Sequence, residues 1–85
     1  MAYRVELRRS AQRDLDALRA DYRERLSNVI EALCENPRPP GVKKLNGNVG
    51  WRIRVGEYRV LYTIWDKEHL VMVEGVARRT TTTYD

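Results

Sequence analysis

The sequence holds one cysteine, one histidine and three prolines in 85 residues, and the first two scarcities exclude whole classes of chemistry. Cys34 on its own can form neither an intramolecular disulfide nor a Cys-based zinc site. His69 on its own makes a Cys/His metal centre and a serine–histidine triad poor bets. Long apolar runs are also missing, so no segment is built to cross a bilayer. The opening stretch MAYRVELRRS has no apolar core after its basic residues and does not read as a secretion signal. These absences lead to the expectation of one cytoplasmic domain over residues 1–85, with no metal and no cofactor. At this length a chain is near the lower limit of what folds without staples.

What is abundant is charge. Lysine and arginine number 16 against 12 acidic residues, a net charge of +4. The excess is local. Between Pro37 and Tyr62 stand Arg38, Lys43, Lys44, Arg52, Arg54 and Arg59, opposed only by Glu57. The rest of the chain is close to neutral. Arginine presents a planar fork that grips phosphate oxygens two at a time and stacks on bases, so an anionic partner, above all nucleic acid, is the first expectation.

Tyr3, Val5 and Leu7 alternate with Arg4, Glu6 and Arg8, which predicts a short strand with one buried side. Ser10 stands at an N-cap position ahead of Ala11, Leu15, Leu18 and Tyr22. Asp21 and Glu24 have capping-box spacing, which predicts a second helix beginning near Tyr22. Its apolar stripe is Tyr22, Leu26, Val29, Ile30 and Leu33, with Cys34 beside it as a small core filler. Pro37 disfavours helical geometry in the residue before it and sets Asn36 as the limit. NPRPPGVKKLNGN then reads as a stiff linker without regular structure. Trp51, Ile53 and Val55 alternate with Arg52 and Arg54, Gly56-Glu57 suits a two-residue hairpin loop, and Tyr58 to Trp65 returns. Asp66, Lys67 and Glu68 form the next turn, and His69 to Val76 makes the fourth strand, with His69 toward solvent. The expected fold is α+β: an N-terminal strand, a two-helix hairpin and a three-stranded antiparallel meander. These combine into a four-stranded sheet with the helices on one face.

A two-residue loop fixes the hairpin register by counting outward. Arg54 then faces Arg59, and Arg52 faces Leu61, so the three arginines share the side of the sheet away from Trp51, Ile53 and Val55. Like charges set directly opposite each other cost a hairpin up to about 1 kcal/mol. A local rule broken in this way marks a functional site. The competing use of such a cluster is shielding, with arginine stems lying over the sheet and their heads in water. Arg78 and Arg79 follow the fourth strand and could extend the patch. Composition alone assigns Tyr84 to a frayed polar tail.

Taken together, YRVEL, SAQRDLDAL, NPRPPGVKKL, WRIRVGEYRVLY and GVARR resemble the RelE branch of the RelE/ParE toxin family, over essentially the whole chain. The resemblance implies a toxin of a type II toxin–antitoxin system. It would cleave mRNA on the ribosome without a metal and be held inactive by a cognate, RelB-like antitoxin. It also implies roles. Arg52 and Arg54 match two strand positions, often lysine elsewhere, that contact the scissile phosphate. Arg59 matches the arginine that stabilises the transition state. Arg78 matches a basic residue beside the leaving oxygen, and Tyr84 a tyrosine that stacks on a base. Lys43 and Lys44 match linker residues that touch ribosomal RNA, and Arg79 joins that binding set. The alternatives are a gyrase poison of the ParE type and an inactive toxin kept as an antitoxin-binding co-repressor.

Overall fold

A computed structural model describes residues 2–45 and 50–78. In chain order the elements are β1 (Arg4–Leu7), α1 (Arg9–Asp16), α2 (Ala20–Ala32), β2 (Lys43–Lys44), β3 (Trp51–Val55), β4 (Tyr58–Trp65) and β5 (Leu70–Arg78). The sheet has five strands in the order β1-β5-β4-β3-β2. The α+β class is as the alternation predicts, with one strand more. The extra strand, β2, lies within the proline-rich stretch expected to be irregular. Two residues suffice there because Lys43 pairs with Arg52 and Lys44 with Trp51. The remaining ladders are antiparallel except at β1, which runs parallel to β5.

Both helices pack on one side. Ala11 and Leu15 of α1 and Leu26 and Ile30 of α2 are buried at helical spacing. They meet Val55, Val60, Tyr62, Val71, Val73 and Val76 from the sheet. Burying each aliphatic side chain of this size contributes about 1.5–3 kcal/mol. The expected second helix forms, but its last residue is Ala32, short of Asn36. Neither helix start uses the expected cap. The N-cap positions are Arg8 and Arg19, without side-chain cap bonds. Asp21 is in the first turn of α2, where it accepts from the Tyr22 amide at 2.9 Å and complements the helix dipole.

Ser10 is used elsewhere. β1 pairs with β5 only as far as Leu7 and Val73, which leaves the rest of that β5 edge to be covered. The Arg8 amide donates to Val73 O at 2.9 Å. Ser10 Oγ donates to Glu74 O at 2.9 Å, and Asp14 Oδ2 accepts from the Val76 amide at 3.1 Å. Side chains of α1 therefore continue the ladder where β1 stops, which protects an open sheet edge.

Two turns depart from simple geometry. Gly56 has φ 60°, as a two-residue hairpin loop with glycine first requires. His69 has φ 51° and belongs to the turn rather than to the strand, so β5 begins at Leu70. It remains exposed, as expected, with its ring edge-on to Tyr3 at 5.4 Å.

Candidate active site

The β3–β4 register is the one counted from the loop: Val55 faces Tyr58, Arg54 faces Arg59, Ile53 faces Val60 and Arg52 faces Leu61. Val55 and Val60 are buried against the helices, so Arg52, Arg54 and Arg59 occupy the helix-free side. Directly opposed residues have Cβ atoms about 4.5–5.5 Å apart. Arg54 is exposed and Arg59 half-buried, while Arg52 is only 4% exposed. Each of the three engages other groups of the protein.

The linker lysines separate. Lys43, in register with Arg52, adds an exposed fourth cation to the arginine side. Lys44, in register with Trp51, sits on the other side, its Nζ 5.8 Å from the Trp51 ring centroid. Arg38 also lies over that ring, at 5.2 Å. Sequence reading grouped Lys43 with Lys44 because β2 has too few residues to show alternation.

This edge is anchored by a polar network. Arg38 donates to both oxygens of Asp66, at 3.0 and 3.4 Å, and Tyr3 Oη donates to Asp66 Oδ1 at 2.7 Å. Arg38, and then Tyr3, hold the Asp66 carboxyl below its ordinary pKa. The Tyr62 hydroxyl, buried, donates to Pro37 O at 2.8 Å, and desolvation pushes its pKa up to about 12. Gly50 must be glycine: at φ 101° a side chain would collide with Tyr62 O. These contacts fasten the proline stretch so that β2 can pair beside Arg52.

Arg78 is not brought to this side by the register. It is opposite Tyr58, whose ring packs edge-on against Tyr22 of α2 at 5.1 Å. Its guanidinium meets Glu57 Oε1 at 3.3 Å. The physical cause is a bulge: Leu61 pairs with Gly75 but Tyr62 with Val73, which leaves Glu74 as an extra residue in β5. One extra residue exchanges the two faces of everything beyond it. Ala77, not Arg78, is therefore the neighbour of Arg59. Glu74 is taken up by Arg8 at 2.9 Å and by the Thr63 hydroxyl at 3.1 Å. Arg79 and Tyr84 lie outside the described residues.

The comparisons with known proteins agree on the fold that carries this row. The sequence model of the family described as the ParE toxin of type II toxin–antitoxin systems matches residues 5–81. The chain belongs to the RelE/ParE toxin family. A Methanocaldococcus jannaschii protein named "Putative toxin RelE1" is 30% identical over 84 residues, covering 93% of this chain and 92% of that protein. Among solved structures, the archaeal RelE–RelB complex from Pyrococcus horikoshii is similar at a TM-score of 0.84 and 26% identity, over 96% of this chain and 100% of the other. The isolated Escherichia coli RelE toxin gives 0.81 and 25%, over 95% and 88%. No helix among the toxin's described residues is long and apolar enough to cross a membrane.

Proposed function

We propose that this toxin is a ribosome-dependent endoribonuclease that cleaves mRNA by attack of a 2′-hydroxyl on the adjacent phosphodiester. The observation that carries the reading is the pair Arg54 and Arg59, directly opposed on the helix-free side with Arg52 beside them. In the reaction the 2′-oxygen bonds to phosphorus, the bond to the 5′-oxygen breaks, and the products are a 2′,3′-cyclic phosphate and a 5′-hydroxyl. Arginine, with a pKa above about 12, does not serve as the proton acceptor. The 2′-proton therefore passes to solvent, and the departing 5′-oxygen takes one back. The arginines act by position and by charge on the phosphoryl oxygens as negative charge accumulates there. Arg59 and Arg54 grip the phosphate, and Arg52 orients them from its buried place. Charge from arginine fills the role a metal ion would otherwise have.

Arg78 is assigned only an auxiliary part at the leaving oxygen, since it is paired with Glu57 on the other side of the sheet. Tyr84 stacks on a base, and Lys43, Lys44 and Arg79 contact RNA of the message or the ribosome. The partner that silences the toxin is a RelB-like antitoxin, by analogy with the RelE–RelB complex of Pyrococcus horikoshii. A toxin that acts on translating ribosomes would act in the cytoplasm.

A second reading has an observation of its own: the matching family model describes ParE toxins, which resemble this chain in fold but poison gyrase. One experiment separates the two. After brief induction, mRNA 5′ ends are mapped on translating ribosomes for wild type and for an R54A/R59A variant at equal protein level. Cuts inside codons in wild type, absent in the variant, support the nuclease. Growth arrest with DNA-damage signalling and intact mRNA supports gyrase. Full toxicity of R54A/R59A overturns the nuclease reading.

A further inference from the structure

We infer that Trp65 is a base-stacking subsite for single-stranded RNA, on the same side of the sheet as the arginines; this rests on the RNA-cleaving reading above. Trp65 is 48% exposed, an unusual place for a large apolar side chain. Along β4, residues 59, 61, 63 and 65 alternate onto one side, so Trp65 ends the row that Arg59 begins. Six residues of strand separate them by about 20 Å.

The ring is held in place. Its Nε1 donates to Thr63 Oγ1 at 3.1 Å, and Thr63 Oγ1 in turn donates to Glu74 Oε2 at 3.1 Å. Arg8 Nε closes the chain on Glu74 Oε1 at 2.9 Å. An indole pinned at its edge keeps its plane and presents a face, the arrangement a stacking platform needs. Between the two ends lie Leu61, the half-buried Met72 opposite Thr63, and the Thr63–Glu74–Arg8 chain itself. The strands carry two carboxylates, Glu6 and Glu74. Arg4 takes the first at 2.7 Å and Arg8 the second at 2.9 Å, so neither stands bare against a phosphate chain.

Cations at one end and a fixed aromatic ring at the other fit an extended polynucleotide, with phosphates at the arginines and a base on the indole. An acidic protein segment would use the cations but has no specific need for a flat ring so far along the strand. Hence the occupant is RNA.

The test is fluorescence anisotropy with a labelled, non-cleavable 2′-O-methyl oligonucleotide, on the order of ten nucleotides long, across a salt series. W65A is expected to bind about 5–150-fold more weakly, with the salt slope of wild type. W65Y and W65F recover most of the affinity, and the melting temperature stays at the wild-type value because the ring is exposed. R59A is expected to lower the salt slope by about 0.7. If W65A binds as wild type while R59A does not, the Trp65 subsite is wrong and the arginine reading stands. If neither change affects binding, the RNA reading itself fails. If W65A retains RNA but releases the cognate antitoxin on co-purification, the surface belongs to the protein partner and the subsite is overturned.

Discussion

Arg54 and Arg59 face each other across the β3–β4 hairpin, two like charges at the closest approach the sheet allows. Like charges so placed destabilise a sheet, and a local rule broken in this way is expected at a functional site. Each arginine removed should cost one phosphate contact. Titrations of single-stranded RNA against salt are expected to lose about 0.7 from the slope of log affinity for R59A or R54A, and about twice that for both. In cells, colony counts after induction should recover fully for R59A and strongly for R54A.

Arg78 should matter less. Its register places it on the other side of the sheet, and its pair with Glu57 leaves both side chains about two-thirds exposed. Exposed pairs contribute between 0 and about 1 kcal/mol. Urea denaturation of R78A is therefore expected within about 1 kcal/mol of wild type. In the colony assay R78A should keep at least tenfold more growth inhibition than R59A. Equal loss in the two variants would show that Arg78 swings across during the reaction.

The hairpin was legible in the sequence because a two-residue loop and strict alternation leave one register. The bulge was not, since nothing in VMVEGVAR marks Glu74 as the extra residue, and it decides which side Arg78 takes. Ser10 misled for a related reason. A hydroxyl ahead of an apolar stripe has the pattern of a helix cap, but here a sheet edge competes for it. The parallel pairing of β1 was hidden because its partner is more than sixty residues away.

Asp14 can be tested on that edge. Its carboxylate accepts from the Val76 amide at 3.1 Å, and hydrogen bonds to charged groups are worth about 1.5–3 kcal/mol. D14A should lose that much in urea denaturation, and D14N less, because an amide oxygen still accepts. G75A is the control. A methyl group there meets only Asp14 Oδ2, at 3.6 Å, so its stability should stay near wild type.

Tyr62 predicts behaviour in alkali. Burial raises its pKa from 10.0 to about 12, so the fold favours the neutral phenol. The stability this gives is fully present below pH 10 and is lost as pH rises through about 12. Melting temperatures should fall in that window for wild type and less steeply for Y62F. The variant also gives up the bond to Pro37 O, at about 0.5–1.5 kcal/mol, which lowers its stability at neutral pH.

The parallel contact between β1 and β5 also governs when the molecule can assemble. Arg4 to Leu7 find their strand partners in Leu70 to Val73, and α1 lays its side chains along the same late strand. A nascent chain that has produced the helices and the arginine hairpin still lacks the strand joining them. Closure of so distant a contact slows folding, and it ties the first and last strands of the sheet into one cooperative event.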